Sequence, residues 1–410
     1  MAGLDKSYSD TIDIVASLAG CTSDQVKRFI AHGLFDADRI SEADVNGVRL
    51  VASFEQSGFP LDTIARTFSR EGISLDFARE MLAIPIRMST RTYREVNREF
   101  GFSPEFANQI AIALGVSRPD QGDLAREDDI AFLRLVAAAL AAGLDKRVVI
   151  RYMRTLGRAM RTISEAQRDL FRSEVITPLN DAGVPLSEFL MLTAKRRSAL
   201  QKIGYEATLK LQARILETLV FDDVSNWLHE ALRDAGMPSA TSEESKVICF
   251  VDLSNYSDFV RLHGDHEGLQ ITEALEEAVQ RHVDPDHGRI VKTLGDGILC
   301  IFFTAKPAID SAMKMISQVA QGQNWSLHVG MAAGRVISRD GDVYGATVNR
   351  AARLCAKARG RSILIDEAMF KQLDPNGRSA WKPVELPLMR GMTETRAFEL
   401  GSEAGGFVSS

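Results

Sequence analysis

The sequence changes its hydrophobic pattern once, across residues 236–245 (GMPSATSEES). Before this stretch, apolar residues recur every three or four positions, which is typical of helices. After it, short apolar runs are separated by glycine-containing turns, which is typical of strands. The stretch itself is small, polar and contains a proline, a composition that favours a linker. The sequence therefore predicts an α+β protein in which an all-helical N-terminal domain precedes a mixed domain.

The helical half contains an internal repeat. Residues 44–52 (DVNGVRLVA) match residues 129–137 (DIAFLRLVA), and the match extends to two segments at about 20–71 and 101–156. We predict three or four short helices in each segment, with their apolar faces buried against each other. This gives a helical domain over residues 1–185, followed by long helices and the linker over 186–245.

Composition excludes several classes of protein. The 410 residues carry a net charge of −6, and acidic residues outnumber basic ones before residue 245. Bulk charge therefore offers no attraction to nucleic acid or to an anionic membrane. The four cysteines are scattered and form no CxxC pair, so we expect reduced thiols rather than a disulfide framework or a zinc site. The most apolar stretch, residues 135–144, is too short to span a bilayer, and we expect a cytoplasmic protein.

The second half has the predicted order β-α-α-β-β-α-β, which is ferredoxin-like. Apolar runs predict the strands, and helical patterns lie between them. The predicted strands are 247–251, 290–294, 298–302, 327–336 and 362–365, and the predicted helices lie near 256–283, 305–320 and 346–358. We assign this domain to residues 246–400 and predict a disordered tail over 401–410.

Three segments of this half carry polar side chains at positions that chemistry could use. Asp252 ends a buried strand, where it could ligate a metal or cap the next helix. Asp296 lies between two glycines at a hairpin tip, and turn chemistry alone could explain it. Lys292 lies in an apolar strand and needs a partner, which a structural ion pair would supply. Asn349 and Arg353 share one face of a helix, as an ordinary solvated pair also would.

Together these segments resemble the catalytic domain of the class III nucleotidyl cyclases. That family carries an Asp after its first strand, then K-x-x-G-D on a hairpin, then D-x-x-G-x-x-V-N-x-A-x-R. Here the same order is found as FVDLSNY (250–256), KTLGDG (292–297) and DVYGATVNRAAR (342–353). One departure is Asn255-Tyr256-Ser257 where the family has Gly-Phe-Thr. Asparagine can adopt the glycine-like left-handed turn.

The resemblance implies a two-metal active site. Asp252, Asp296 and the backbone carbonyl of Leu253 would hold two Mg²⁺ or Mn²⁺ ions. Asn349 would orient the ribose, and Arg353 would neutralise charge on the α-phosphate.

The resemblance also implies the substrate. Lys292 would donate to N1 of adenine and Asp342 would accept from N6, whereas guanine reverses both groups. Arg390, which stands where the family has a lysine, would contact the terminal phosphates. The implied reaction converts ATP to 3′,5′-cyclic AMP and pyrophosphate.

Family architecture implies two further properties. The metal aspartates of one subunit face the base- and ribose-binding residues of the other, so we expect a homodimer and an inactive monomer. A helical domain before a cyclase domain resembles the actinobacterial soluble class III cyclases, which implies an autoinhibitory, pH-responsive regulatory domain. Candidate pH-sensing residues are His229, His263 and His266.

Two alternatives stay open at this point. Residues 20–71 resemble, loosely, a MerR-type helix-turn-helix, which would require an electropositive face around Lys27 and Arg28. The second alternative is a non-enzymatic nucleotide sensor with a degenerate cyclase domain.

Overall fold

A computed structural model describes residues 8–82, 87–235, 245–320, 325–386 and 396–401. The chain divides into two compact units, Met1–Leu228 and His229–Ser410. Each unit has its own architecture, and the functional residues predicted from sequence lie in the second.

The first unit is mainly helical. Its helices are α1 (Tyr8–Ala19), α2 (Ser23–Ala31), α3 (Val45–Gln56), α4 (Leu61–Glu71), α5 (Phe77–Glu80), α6 (Tyr93–Glu99), α7 (Pro104–Leu114), α8 (Glu127–Ala141), α9 (Lys146–Phe171), α10 (Thr177–Asp181) and α11 (Leu186–Asp234), the last of which extends into the second unit. A 3₁₀ turn precedes α3 at Glu42–Asp44, and a π-helical turn links α9 to α10 at Arg172–Ile176.

Each segment of the sequence repeat carries three helices and is preceded by one more, which gives two sets of four helices, α1–α4 and α6–α9. The second helix of each set starts in the same way. Thr22 Oγ1 accepts a hydrogen bond from Gln25 N (3.2 Å), and Ser103 Oγ accepts one from Phe106 N (3.2 Å), so both helices begin with a side-chain cap. Each set also buries its own apolar cluster. The first unit is therefore built around two separate cores.

The prediction that this unit is all-helical was wrong in one place. Strand β1 (Met88–Thr92) pairs antiparallel with β2 (Leu124–Arg126). Neither strand alternates apolar and polar residues, and the second has three residues, too few to show a period of two. Pairing of backbone groups, rather than a side-chain pattern, defines this ribbon.

The two cations that a DNA-reading face would need lie beside carboxylates. Arg28 Nη2 is 2.8 Å from Glu55 Oε1, and Lys27 Nζ is 4.0 Å from Asp24 Oδ1. These acidic partners offset the positive charge that contact with phosphates requires. The geometry of α2 therefore gives no support to the helix-turn-helix alternative.

The second unit is a mixed sheet with helices on both faces. Its strands are β3 (Lys246–Leu253), β4 (Gly288–Thr293), β5 (Gly297–Phe302), β6 (Leu327–Gly334), β7 (Ile337–Arg339), β8 (Asp342–Tyr344), β9 (Ser362–Asp366), β10 (Lys382–Glu385) and β11 (Arg396–Gly401). Its helices are α12 (Tyr256–His263), α13 (Asp265–His282), α14 (Ala305–Ala320), α15 (Ala346–Cys355) and α16 (Glu367–Lys371), and a 3₁₀ turn spans Pro375–Ala380.

The strand order of the main sheet is β10-β11-β9-β6-β3-β5-β4. Its central part, β6-β3-β5-β4, is antiparallel throughout, which is the ferredoxin-like arrangement. β9 then adds in parallel to β6. The predicted α+β class and the order of strands and helices after the linker are confirmed.

Side chains of β3 alternate between the two faces of this sheet. Cys249 and Val251 join the cluster beneath α13 and α14, whereas Ile248 joins the smaller cluster beneath α15. Burial raises the pKa of Cys300, on the neighbouring strand, to about 12, so that thiol stays protonated at neutral pH. The sheet that carries the predicted site residues is thus a packed, apolar layer.

Helix α15 lies unusually close to β6 because Gly330 has no side chain. A Cβ at this position would lie 2.0 Å from Cys355 N and 2.5 Å from Ala351 O, both backbone atoms of the helix. A helix in this position cannot move away without losing the contacts of its buried face, which includes Ala351 and Leu354.

We therefore expect Gly330→Ala to destabilise the second unit by an amount near or above the upper end of the roughly 1–3 kcal/mol that overpacking costs. The measurement is thermal unfolding, with Gly377→Ala as the control, because nothing lies within 4 Å of a Cβ at Gly377. Equal unfolding temperatures for the two variants would contradict the close contact.

Within the described part of the chain, no helix combines the length and the apolar character that crossing a membrane requires.

Candidate active site

The predicted metal ligands lie where β3 ends beside the β4–β5 hairpin. Asp252 pairs in register with Gly297 of β5. Leu253 N donates a hydrogen bond of 3.0 Å to the backbone oxygen of Asp296, which ties the end of β3 to the hairpin turn. The structure therefore brings Asp252, Leu253 and Asp296 together at the end of β3, beside the turn between β4 and β5.

Gly297 provides the space that the Asp252 carboxylate occupies. A Cβ at this position would lie 2.8 Å from Asp252 Oδ1. The side chain of Asp252 is 37% exposed, so solvent or a ligand can reach it. Any residue larger than glycine would force the carboxylate to move.

This donor set suits a hard divalent cation. Mg²⁺ is usually bound through one or two carboxylates and completes its shell with water and substrate phosphates. Two aspartates and the carbonyl of Leu253 match that requirement. In the described ranges, no three His, Cys, Asp or Glu side chains are placed to hold a metal by themselves. A cation here would accordingly take its remaining ligands from water or substrate.

The predicted base-selecting residues contact each other. Lys292 Nζ, near the end of β4, donates to Asp342 Oδ2, at the start of β8, over 2.6 Å. Val343 N donates to the other carboxylate oxygen over 2.8 Å. The hydrogen bond from Lys292 lowers the pKa of Asp342, which therefore stays ionised at neutral pH. Both side chains remain partly exposed, 42% for Lys292 and 24% for Asp342, so a ligand can reach them.

Asn349 and Arg353 lie on α15, on the face away from its buried residues. Thr347 anchors the start of this helix, because its Oγ1 donates to Arg335 O over 2.9 Å. Asn349 is exposed and Arg353 is half-buried. Ala351 and Leu354 of the same helix pack against the sheet. The sheet therefore holds the helix in place while leaving its polar face accessible.

Two expectations concern segments at the edges of this site. Asn255 has φ 61° and ψ 29°, so it adopts the left-handed turn predicted from its place in the motif. Arg390 lies outside the described residues, as do residues 236–244 of the linker predicted over 236–245 and residues 402–410 of the tail predicted over 401–410. Gly401, the first residue of that predicted tail, instead ends β11.

Sequence reasoning missed two side chains at this site. His328 Nε2 lies 3.1 Å from Asp252 Oδ2, and its Nδ1 lies 3.0 Å from Ser254 Oγ. His328 is the residue of β6 that pairs with Asp252 across the sheet. Only the register of the two strands reveals this contact. Ser254, two residues after Asp252, could have been noticed as a polar neighbour.

Comparisons with known proteins identify the domain that carries these residues. Residues 239–400 match the family described as the adenylate and guanylate cyclase catalytic domain. This part of the chain therefore carries a nucleotidyl cyclase catalytic domain. The family predicted from the motifs is thereby confirmed.

Relatives of the chain align over stretches longer than the catalytic domain alone. An adenylate cyclase of Streptomyces coelicolor is 27% identical over 292 residues, which cover 67% of this chain and 70% of that protein. An adenylate cyclase of Streptomyces griseus is 28% identical and covers 69% of this chain and 68% of its own length. The pH-sensitive adenylate cyclase MT1302 of Mycobacterium tuberculosis is 22% identical over 288 residues, which cover 68% of this chain and 69% of that protein.

Among solved structures, the cyclase is similar to the dimeric guanylyl cyclase domain of the RhoGC fusion protein from Blastocladiella emersonii. The identity is 19% and the TM-score is 0.33, and the match covers 38% of this chain and 96% of that domain.

Proposed function

We propose that this cyclase is an adenylate cyclase, which converts ATP to 3′,5′-cyclic AMP and pyrophosphate. The observation that supports this substrate most directly is the pair of Lys292 and Asp342, joined over 2.6 Å and accessible to a ligand. Adenine presents an acceptor at N1 and donors at N6. An ammonium and a carboxylate side by side offer the matching donor and acceptor. Guanine would present a donor to the ammonium and an acceptor to the carboxylate, leaving both charges mismatched.

The metal-binding residues would be Asp252, Asp296 and the carbonyl of Leu253. Bound Mg²⁺ or Mn²⁺ ions would supply activation of the ribose 3′-hydroxyl and charge compensation on the phosphates. Asp252 and Asp296 would hold these ions where β3 ends beside the turn between β4 and β5. The attack is intramolecular, so the remaining requirement is positioning and charge stabilisation rather than a covalent enzyme intermediate.

The polar face of α15 would supply both the positioning of the substrate and the stabilisation of its developing charge. Asn349 can donate to and accept from ribose hydroxyls and hold the sugar. The guanidinium of Arg353, one turn further along, can stabilise negative charge that develops on the α-phosphate. Arg390 would contact the terminal phosphates.

The active unit in this proposal is a homodimer with two composite sites. Large apolar side chains beside the site are exposed in a single chain: Leu294 (47%), next to the metal hairpin, and Tyr344 (51%), next to Asp342. Helix α11 of the first unit also exposes a long series of apolar residues: Leu209, Leu211, Ile215, Leu216, Leu219, Val220, Phe221, Val224, Trp227 and Leu228. Burial against a second copy would remove these surfaces from water.

Cyclic-nucleotide production by the purified chain tests the catalytic proposal. With Mn²⁺ present, we expect cyclic AMP from ATP and at least about 100-fold less cyclic GMP from GTP, since a site built for one hydrogen-bonding pattern rejects the reversed pattern strongly. The matched control is Asp296→Asn, which should be inactive with both nucleotides. Absence of product from the full chain and from residues 238–410 alone would refute the proposal.

We further propose that the helical unit regulates catalysis, by inhibition that responds to pH. The relative named pH-sensitive aligns over 68% of this chain. The three candidate histidines are exposed. His229 lies on α11, and His263 stacks on Phe259 with ring centroids 4.2 Å apart. Nε2 of His266 lies 3.4 Å from Nε2 of Gln270.

A comparison of the full chain with residues 238–410 tests this regulation between pH 5.5 and 8. We expect higher activity from the shorter chain at the pH where the full chain is least active. The same series on His→Ala variants at positions 229, 263 and 266 would identify the sensor. A constant activity ratio between the full and short chains at every pH would exclude pH-responsive inhibition.

A further inference from the structure

Three polar side chains form a chain of hydrogen bonds beside the predicted metal ligands at the end of β3. Ser254 Oγ lies 3.0 Å from His328 Nδ1, and His328 Nε2 lies 3.1 Å from Asp252 Oδ2. Asp252 lies near the end of β3 and Ser254 is the first residue after that strand, whereas His328 stands opposite Asp252 on β6. The side chain of His328 is only 13% exposed, compared with 37% for Asp252. The histidine therefore contacts the aspartate from the protein side and leaves its other side accessible.

The chemistry of the three groups sets the direction of these hydrogen bonds. An ionised carboxylate can only accept, so Nε2 of His328 carries the hydrogen that it donates to Asp252. In the neutral ring, Nδ1 is then an acceptor, and the hydroxyl of Ser254 donates to it. Each bond thus selects the orientation of the next group.

The backbone on both sides holds this arrangement in place. Ser254 N donates to Ser326 O over 2.8 Å, which ties Ser254 to the residue just before the strand that carries His328. Cys355, at the end of α15, approaches the carbonyl of His328 with its Sγ at 3.6 Å. These contacts hold the backbone of Ser254 and of His328, and the 13% exposure of the His328 side chain leaves its ring largely enclosed.

We propose that His328 is a positioning residue for the metal site, an inference that rests on the proposed function of Asp252. By holding Oδ2, His328 leaves Oδ1 in the space that Gly297 keeps open, where a cation can bind it. Partners that orient a metal ligand in this way commonly change metal affinity or activity by 10- to 100-fold when removed. Removal of the histidine frees Asp252 to rotate, which weakens metal binding without altering recognition of the base.

The test uses the full chain and two substitutions at one position. His328→Leu removes the donor and retains the approximate size, whereas His328→Gln retains an N–H at a similar reach. Mn²⁺ binding is measured without nucleotide, by electron paramagnetic resonance of the free ion. We expect binding about 10- to 100-fold weaker in His328→Leu and within a few-fold of wild type in His328→Gln. Ser254→Ala should weaken binding less than His328→Leu, because it removes only the group that orients the ring.

Two further measurements separate positioning from a general structural role. Thermal unfolding without metal should be similar in all three variants and wild type. At saturating Mn²⁺ the KM for ATP should be unchanged, while the Mn²⁺ concentration for half-maximal activity rises in His328→Leu. Equal Mn²⁺ binding in His328→Leu and wild type would overturn the inference, as would equal losses in the Leu and Gln variants. Because Mn²⁺ binding is measured without turnover, a failure of the proposed catalytic function would be seen separately, as wild-type Mn²⁺ binding without cyclic AMP formation.

Discussion

A double substitution, Lys292→Glu with Asp342→Ser, should move the substrate preference from ATP toward GTP. The glutamate can accept from N1 and N2 of guanine, and the serine hydroxyl can donate to O6. We expect kcat/KM for ATP to fall by about 100-fold or more, because the ammonium and carboxylate that match adenine are both gone, and GTP turnover to become measurable. Initial rates of cyclic AMP and cyclic GMP formation, with each nucleotide in turn, provide the measurement.

The matched control reverses the pair, as Lys292→Asp with Asp342→Lys. This variant preserves the opposite charges of the native contact, which spans 2.6 Å, but exchanges the positions of donor and acceptor. We expect an unchanged unfolding temperature and loss of ATP turnover. Retained ATP turnover would mean that Lys292 and Asp342 form only a structural ion pair.

The same pair restricts where a pH response can originate. Lys292 lowers the pKa of Asp342 below its ordinary value near 4. A carboxylate whose pKa is lowered in the folded state keeps its interaction above that range and loses it only as the pH falls through the lower folded value. Asp342 therefore remains ionised from pH 5.5 to 8, and a change in activity across that interval has to come from other groups.

Two inactive variants should restore activity when they share one dimer. Asp252→Ala removes a metal ligand, and Arg353→Ala removes the group that stabilises charge on the α-phosphate, so each homodimer should lose activity by at least about 100-fold. In a heterodimer, one composite site carries both substitutions and the other carries none. Heterodimers purified through two different affinity tags should therefore show about half of the wild-type activity.

The control for this experiment combines two substitutions from the same half of the site. A heterodimer of Asp252→Ala with Asp296→Ala has one defective metal ligand at each site, so it should stay inactive. If the Asp252→Ala and Arg353→Ala heterodimer were also inactive, the composite site would be excluded. Activity equal to that of wild type in either single homodimer would exclude the assigned role of that residue.

The order of strands and helices in the second unit could be predicted because burial dominates there. Strands such as β5, buried along its whole length, appear in the sequence as uninterrupted apolar runs. Strands β1 and β2 escaped prediction for the opposite reason, since their residues are mostly half-buried and mixed in polarity. Backbone pairing between segments more than 30 residues apart leaves no local pattern to detect.

The site could be predicted to a similar extent. The positions of Asp252 and Asp296 at strand ends, and of the polar residues on α15, follow from local pattern, whereas the roles predicted for them rest on the family resemblance. The contact between Lys292 and Asp342 joins residues separated by 50 positions; the family resemblance implied that both bind adenine, but not that they contact each other. His328 could not be found in either way. Its role depends on which residue of β6 stands opposite Asp252, and a shift of one residue would turn the imidazole to the other face of the sheet.

The contact between helix α15 and Gly330 has a consequence for how such an enzyme can be switched. A helix that touches the sheet through backbone atoms has no layer of adaptable side chains to absorb a displacement. Helix α15, with Asn349 and Arg353, should therefore move together with the strands beneath it as one rigid unit. In the proposed homodimer, turnover would then depend on how the two catalytic domains are oriented to each other, so an activating signal would reorient whole domains rather than adjust individual catalytic side chains.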